Sequence, residues 1–464
     1  MPLRRILPAV IALLYVTTSL AAGENWPAWR GPTGDGRSDS TNLPTEWSLE
    51  TGKNIVWKTE LPSWSGGTPV IWGDRIFITS PNKAGAQEPG AGAPEKGGKG
   101  GGFGGKGGFG GKGGKGGRDP GGQTLMLLCV SKKDGSPLWQ RDLDTGNRVY
   151  NKQNSSSPSP VTDGKHVWSM TGNGVLTAFD MDGKEIWKRK LQDDYGKFGL
   201  MWGYGSSPVF YDGKIIVEVL HGNNTDDPSY LVAIDGATGK NVWRIERPTD
   251  AVRESPDAYT TPALLSVNGQ MQIVVSGGDY VTGHDPANGK ELWRAAGLNP
   301  ARSQNYRIIA SPVVSGDLIF APTRKSPLLA LKAGGSGDVT SSHTAWKWEK
   351  SGGPDVPTPV CDGTYFYMAS DDGLMTCVEA KSGQLVYGPQ RLNVGATVSA
   401  SPLLADGKLY ITGENGTTVV IAAGPAFKPL SSNPLDGSYT LSSIAVSGSQ
   451  LFLRTSTTLY CIGR

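Results

Sequence analysis

Short segments in which apolar and polar residues alternate recur along most of the chain, and nearly all of them open with Ser-Pro or Thr-Pro. Alternation with a period of two residues predicts β-strands, whereas helical repeats would show a period of 3.6. Successive prolines lie 43 to 54 residues apart, except for one spacing of 91 that contains a glycine-rich insert. The chain is therefore predicted to be a repeat array. The prolines are Pro69, Pro160, Pro208, Pro262, Pro312, Pro359 and Pro402.

Each repeat closes with a second pattern, clearest at Ala233–Trp243 (AIDGATGKNVW). A strand ending at Asp, a turn with Gly at positive φ and a strand running from Lys to an aromatic residue describe a β-hairpin. Four short strands per repeat of this length are typical of a β-propeller blade. The sequence thus predicts an all-β fold of four-stranded antiparallel blades. Further copies are Cys129–Trp139, Ala178–Trp187, Gly283–Trp293 and Cys377–Tyr387.

The eighth copy of the repeat is split between the two ends of the chain. Residues Tyr439–Arg464 carry early strands of a blade but stop before its Lys-to-Trp strand, which stands instead at Asn54–Leu61 (NIVWKTEL). A ring closed by this N-terminal strand has no open sheet edge. We therefore predict eight blades, although the last strand of the seventh copy, within Ala422–Leu435, is degenerate.

Composition and charge narrow the class of protein. Of 464 residues, 66 are Gly and 32 are Pro, which is too rich in turn residues for a helical bundle. Lys and Arg exceed Asp and Glu by only 3, so no strong field for nucleic acid is available. The four histidines are scattered singly, which disfavours a structural zinc site.

Two segments are predicted to lie outside the propeller core. Residues 1–22 have a basic end, an apolar stretch and small residues before Ala22, as in a cleaved signal peptide. Residues 83–122, within the first blade, are rich in Gly and Lys and are predicted to be disordered. We expect an exported protein with an N-terminal extension at 23–53, a propeller at 54–464 and no transmembrane segment after cleavage.

The complete motif at Ala233, Asp235, Thr238, Gly239, Lys240 and Trp243 resembles the repeat of PQQ-like (quinoprotein) propellers, over about residues 54–464. That superfamily includes dehydrogenases that hold PQQ and Ca²⁺ on the propeller axis. It also includes non-catalytic scaffolds such as the BamB-like propellers. The segment Trp26–Gly36 (WPAWRGPTGDG) resembles the N-terminal stretch of exported members of unknown function.

The resemblance implies that the repeat tryptophans are structural. In the family each indole lies between neighbouring blades, over the peptide of a docking glycine. A buried Trp covers a large apolar area, so a ring of them stabilises the contacts between blades. The residues expected to dock in this way are Trp57, Trp139, Trp187, Trp243 and Trp293.

Three cysteines, Cys129, Cys377 and Cys461, fall where other copies have Ala178, Ala233 and Ala330. This column requires a small residue, and a free Cys packs as one. Four free thiols are therefore expected; a bridge between Cys361 and Cys377, which share a blade, is the alternative.

Residues for catalysis are not evident. The family's dehydrogenases carry an adjacent Cys-Cys pair, which is absent here, and no motif gives Glu218, Asp257 or Asp371 the role of base or calcium ligand. We assign no catalytic, cofactor or metal residue. Aromatic and basic residues do recur in the long connections between blades, which converge on one end of a propeller and make a candidate ligand funnel. They are Tyr150, Trp202, Tyr204, Arg253, Tyr259, Arg302 and Tyr306.

These observations favour a non-catalytic binding or assembly scaffold in the cell envelope. The expected partner is a protein or an envelope polymer rather than nucleic acid, and the expected state is a monomer. The alternative is a PQQ- and Ca²⁺-dependent alcohol or sugar dehydrogenase. A propeller hydrolase or lyase lacks a recognisable set of residues.

Overall fold

The computed structural model describes residues 23–85, 119–325, 327–350 and 353–464. The predicted signal peptide, at 1–22, and most of the predicted disordered insert, at 86–118, lie outside the described residues. The insert joins the second and third strands of the first blade, between Pro81 and Thr124.

Eight separate sheets contain the strands, and the eight-bladed all-β fold predicted from the repeats is confirmed. Each blade is an antiparallel meander of four strands, with its first strand nearest the axis. The strands of blades 1 to 4 are β3 (Val70–Trp72), β4 (Arg75–Pro81), β5 (Thr124–Ser131), β6 (Pro137–Thr145); β7 (Val161–Thr162), β8 (His166–Met170), β9 (Val175–Asp180), β10 (Glu185–Lys190); β11 (Val209–Tyr211), β12 (Lys214–Val219), β13 (Tyr230–Asp235), β14 (Asn241–Glu246); β15 (Ala263–Val267), β16 (Gln270–Gly277), β17 (Tyr280–His284) and β18 (Glu291–Ala296).

Blades 5 to 8 follow the same plan. Their strands are β19 (Val313–Ser315), β20 (Leu318–Ala321), β21 (Leu328–Lys332), β23 (Thr344–Trp348); β24 (Val360–Cys361), β25 (Tyr365–Ala369), β26 (Leu374–Glu379), β27 (Leu385–Arg391); β28 (Leu403–Ala405), β29 (Lys408–Thr412), β30 (Thr418–Ala422), β31 (Pro429–Asn433); β32 (Ala445–Ser447), β33 (Gln450–Arg454), β34 (Thr458–Ile462) and β2 (Ile55–Glu60).

Two short strands and two short helices lie outside this plan. Strand β1 (Arg37–Ser38) adds in parallel to β28, and β22 (Gly337–Asp338) adds in parallel to β18. The helices are α1 (Leu191–Tyr195) and α2 (Thr340–His343). No helix among the described residues is long and apolar enough to cross a membrane.

The ring closes through the N-terminal strand, as predicted. Strand β2 pairs antiparallel with β34 and completes blade 8, with Trp57 opposite Cys461. The same pairing of an aromatic residue with a small one joins Trp139 to Cys129 and Tyr387 to Cys377. All four cysteines are buried free thiols. The position opposite the aromatic residue requires a small side chain, because the bulky ring begins directly across from it on the neighbouring strand.

The tryptophans of the repeat lie over glycines in the third turn of the next blade. Each indole N–H donates to a backbone carbonyl of that turn, at 2.8–3.0 Å. Each glycine has φ between 70° and 80°, and an added Cβ would lie 2.6–2.7 Å from the ring. The glycine therefore provides both the turn and the space. The pairs are Trp57 with Gly135, Trp139 with Gly183, Trp187 with Gly239, Trp243 with Gly289, and Trp346 with Gly383, which the repeat search did not single out.

Trp293 departs from the docking predicted for it. Its indole N–H donates to the Gln272 side chain of its own blade at 2.8 Å, and its ring fills the space beside Gly283. Gly283 stands where Ala178 and Ala233 stand in other blades, so the indole can turn inward. The glycine turn is also missing from blade 5, whose residues 333–343 instead form β22 and α2.

The Ser/Thr of the Ser/Thr-Pro pairs, with Ser443 in the equivalent position of blade 8, form a series of hydrogen bonds around the axis. The backbone N–H of each donates to the hydroxyl of its counterpart in the next blade, at 2.9–3.0 Å, from Thr68 round to Ser443. At the seam between blades 8 and 1, the Thr68 hydroxyl has no partner among the described residues. There the buried Arg454 donates instead to the carbonyls of Thr79 and Ser63, at 2.7 and 3.1 Å.

The N-terminal extension crosses the ring at the end opposite the blade-to-blade connections. Trp26 pairs with Ile71 in blade 1, the Pro27 carbonyl accepts from Thr162 in blade 2, and β1 joins blade 7. From this segment the buried Arg30 guanidinium donates to the carbonyls of Thr358, Pro359 and Pro402, at 2.6–3.3 Å. The extension therefore closes one end of the axis.

The closing strand offers a direct test of the ring. Trp57→Ala should lower the free energy of unfolding by ~3 kcal/mol, because it removes the docking between blades 8 and 1. The neighbouring Val56, which is exposed on the same strand, provides the control: Val56→Thr should change it by less than ~0.5 kcal/mol. Denaturant unfolding followed by far-UV circular dichroism measures both. Equal stability of the two variants would contradict the closure.

Candidate binding site at the mouth of the propeller

The connections between blades and the loops between second and third strands emerge at one end of the ring, which we call the mouth. This follows from the four-stranded antiparallel meander of every blade. The mouth is opposite the end closed by the N-terminal extension. Every residue of the predicted funnel belongs to one of these connections.

The structure brings together three of the funnel residues. The Trp202 indole donates to the Glu254 carboxylate at 3.0 Å, and the Trp202 backbone N–H donates to the Tyr259 hydroxyl at 3.1 Å. Tyr150 lies against Gly203, where an added Cβ would be 2.1 Å from its ring. Connections from blades 1, 2 and 3 therefore meet around Trp202.

The other four funnel residues have different surroundings. Tyr204 and Tyr306 are buried, and their hydroxyls donate to the carbonyls of Glu218 and Lys325. They belong to the packing beneath the mouth. Arg302 pairs with Asp250 at 2.7 Å, and Arg253 is exposed. The sequence does not predict which aromatic residues of these connections are buried and which are exposed, because both kinds occupy irregular loops without a periodic pattern.

A network of charges that the sequence did not reveal begins at Lys152. This residue lies at the tip of a tight turn at 149–154, after blade 1, yet its ammonium lies 2.8 Å from Glu414 of blade 7 and 4.0 Å from Asp371 of blade 6. Ser399 donates to Glu414 and accepts from Lys152. Lys152 thus spans the mouth from one side of the ring to the other.

The network continues through Asp355 and Arg307. The backbone N–H of Asp355 donates to Asp371 at 2.8 Å, and the Asp355 carboxylate lies 3.6 Å from Arg307 and 3.5 Å from Arg324. Arg307 also lies 3.6 Å from Glu254, the partner of Trp202. Within this network each charged side chain therefore lies next to one of opposite sign. The only signal in the sequence was the placement of these charges in the connections and in the loops between second and third strands, which is common in solvated loops.

Burial and neighbouring charges together shift the pKa values of these carboxylates. Burial raises the pKa of Asp371, and the nearby Asp355 charge raises it further. Burial also raises the pKa of Asp355, opposed by Arg307. For Glu414, burial is outweighed by the Lys152 ammonium and by hydrogen bonds, which lower its pKa.

Asp257 anchors the connections beneath Trp202. Its fully buried carboxylate accepts backbone hydrogen bonds from Met201, Gly222 and Asn223, at 2.8–3.1 Å. Burial raises its pKa to about 6 although these bonds lower it. A carboxylate saturated by backbone donors holds loops in place, and it has little capacity left for a ligand.

Glu218 lies deeper, between blades 3 and 4, with 1% of its surface exposed. The Thr260 hydroxyl lies 2.8 Å from its Oε1 and 2.8 Å from the Ser276 carbonyl. One hydroxyl hydrogen cannot be donated to both acceptors, and a carbonyl can only accept. The geometry therefore fits a protonated Glu218 that donates to Thr260. Burial likewise raises its pKa to about 8.

The donor set at the mouth does not fit a quinone site with a calcium ion. Calcium takes six to eight oxygen ligands, but the mouth carboxylates are paired with Lys152, Arg307 and Arg324. Among the described ranges, no three His, Cys, Asp or Glu side chains are grouped to hold a metal ion. A cavity of about 360 Å³ lies off the axis, at the rim of blade 6, lined by Asp372, Gly373, Arg391, Asn393, Val394, Gly395 and Ala396.

Comparison with known proteins places the repeats in a family. The family described as outer membrane protein assembly factor BamB matches residues 126–346 and 333–424. The chain belongs to this PQQ-like β-propeller family. The match includes four of the five tryptophans that dock on the next blade, and Trp57 of the closing strand lies outside it.

Three known proteins resemble the chain, one in part of its sequence and two in fold. Quinohemoprotein alcohol dehydrogenase ADH-IIG of Pseudomonas putida is 34% identical over 129 residues, which are 26% of this chain and only 16% of that protein. The structure of BamB from Moraxella catarrhalis aligns with a TM-score of 0.55 and 13% identity, over 88% of this chain and 98% of its own. Quinohemoprotein alcohol dehydrogenase from Comamonas testosteroni aligns with a TM-score of 0.63 and 11% identity, over 95% and 80%. At these identities the structures show the fold alone.

The protonation of Glu218 predicts a pH dependence of stability. Its pKa is about 8 in the folded protein and ~4.3 in an unfolded chain. Between these values the unfolded state binds fewer protons, so the free energy of unfolding falls as pH rises, by up to ~1.4 kcal/mol per pH unit. Glu218→Gln, whose amide can donate to Thr260, should match the wild type near pH 5 and exceed its stability near pH 8.

Urea unfolding between pH 5 and pH 9 measures this difference. The exposed Glu246→Gln, in the same blade, is the control and should follow the wild type at every pH. A difference between Glu218→Gln and the wild type that does not change with pH would show that Glu218 is ionised in the folded protein.

Proposed function

We propose that this PQQ-like propeller is a non-catalytic binding or assembly scaffold of the cell envelope. The observation that carries the proposal is the charge network across the mouth. In the dehydrogenases of the superfamily the axis holds PQQ and Ca²⁺; here Lys152 spans this region to reach Glu414 and Asp371. Because Lys152, Arg307 and Arg324 are each engaged by a carboxylate of the chain itself, they are less available to the carboxylates of a quinone cofactor, and the carboxylates they neutralise are poorer ligands for calcium.

The alternative is a quinoprotein oxidoreductase that acts on alcohols or sugars. The segment 34% identical to ADH-IIG favours it, although that segment spans a small part of the dehydrogenase. The repeat itself does not distinguish the two functions, because its tryptophans and glycines are structural in both. The mouth is the region in which the two proposals make different demands.

Localisation and partners belong to the same proposal. The signal-peptide-like pattern of residues 1–22 and membership of the BamB family support export to the periplasm or the cell surface. A scaffold in that compartment would bind a protein or an envelope polymer. With eight blades closed into a ring by β2 within one chain, a monomer can fulfil this role.

A cofactor titration separates scaffold from enzyme. The purified full chain, incubated with PQQ and Ca²⁺, should show no saturable change in quinone absorbance and should not reduce an artificial electron acceptor with alcohols or aldoses. An established quinoprotein dehydrogenase carried through the same assay is the positive control. Saturable binding together with substrate-dependent dye reduction would overturn the scaffold proposal and establish the oxidoreductase.

A further inference from the structure

Four large apolar residues are exposed on three consecutive connections of the mouth. Trp202 is 39% exposed, Met201 45%, Val149 43% and Val252 51%. The other exposed large apolar residues of the described chain lie singly on the outermost strands of six different blades. They are Val56, Leu138, Ile186, Val242, Leu385 and Leu430.

The four residues are held next to one another by contacts between the connections. The Gln153 amide donates to the carbonyls of Trp202 and Gly203, which joins the loop of Val149 to that of Trp202. The Trp202 indole donates to Glu254, two residues after Val252. We call Val149, Met201, Trp202 and Val252 the Trp202 patch. Its surface is preorganised, which reduces the entropy lost on binding.

Positive charge adjoins the patch on two sides. Arg148 precedes Val149, Arg253 follows Val252, and both are exposed. Within the part of the chain that the structure describes, neither forms an ion pair, whereas Arg302 on the next connection pairs with Asp250. Arg253 also has φ of 62°, a left-handed conformation that is costly for a residue other than glycine. This cost is not offset by a partner within the described chain.

We propose that the Trp202 patch binds an extended segment of a partner protein in which apolar side chains are flanked by acidic ones. The inference rests on the proposed scaffold function and specifies its partner. Tryptophan and arginine are the residues most enriched in the energetic centres of protein interfaces. The exposed aliphatic residues receive the apolar side chains, and Arg148 and Arg253 receive the carboxylates.

The surroundings of the patch favour a protein over the other polymers of an envelope. A polyanion such as nucleic acid would be bound by a continuous basic surface, but the neighbouring charges at Glu254 and Asp250 are acidic. A polysaccharide would be bound mainly by polar groups around an aromatic ring, whereas three of the four patch residues are not aromatic. An apolar centre with a charged rim is typical of a protein interface.

Binding of short fluorescent peptides to the full chain tests the proposal by anisotropy. The first probe has leucines between aspartates, the second has leucines between lysines, and the third has serines between aspartates. We expect saturable binding of the first probe only. Binding of all three, or of none, would overturn the proposal, and binding of the third alone would indicate a surface for polyanions instead.

Variants assign the binding to the patch. Trp202→Ala should weaken binding of the first probe at least about tenfold, since it removes the central apolar contact. Arg253→Glu should weaken it as well and should permit binding of the lysine-flanked probe. Val242→Ser, which alters an equally exposed residue on β14, is the control and should bind like the wild type. Thermal melting verifies that each variant is folded.

The outcomes keep the two proposals distinct. If the first probe binds and Trp202→Ala leaves its affinity unchanged, the patch is not the site, but the scaffold function stands. If PQQ and Ca²⁺ support dye reduction, the scaffold function fails whatever the peptides do. Loss of binding in Trp202→Ala with binding intact in Val242→Ser is the result that supports this inference.

Discussion

Docking of one blade on the next is the interaction on which the rest of the molecule depends. A Trp from the last strand of a blade lies over a Gly in the next blade and donates to its turn, as Trp57 does to Lys132 across the closing seam. Near the axis, the Ser and Thr hydroxyls also join each blade to the next, by accepting hydrogen bonds from the neighbouring backbone. These contacts determine how far the blades stand from one another, and hence the space that remains along the axis.

Charged side chains of the chain itself lie at both ends of that space. At one end, Arg30 of the N-terminal extension donates hydrogen bonds to backbone carbonyls of blades 6 and 7. At the other end, the Lys152 ammonium lies next to carboxylates of the same two blades. Buried or half-buried charges are stable only when paired or hydrogen-bonded, so each of these groups fixes its neighbours. The mouth thereby becomes a firm surface with Trp202 exposed, which is suited to recognising a partner.

The repeats, the blade count, the closing strand and the free cysteines could be predicted from sequence, because each depends on a local pattern or on a column of equivalent positions. Trp293 could not, since its environment depends on Gly283 and on the unusual connection of blade 5. Of the predicted funnel, Trp202 and Tyr259 meet, while Tyr204 and Tyr306 are buried. The partnership of Lys152 with Glu414 joins residues far apart in the chain, and their meeting is determined by the radius of the closed ring.

The scaffold function depends most directly on Lys152 crossing the mouth. Zero-length coupling of amines to carboxylates, followed by mass spectrometry of the digested full chain, measures it. An ammonium and a carboxylate 2.8 Å apart should yield a peptide in which Lys152 is joined to Glu414, and PQQ with Ca²⁺ should not reduce its yield. The absence of this linkage, or its loss when PQQ and Ca²⁺ are added, would contradict the ion pair between Lys152 and Glu414 across the mouth.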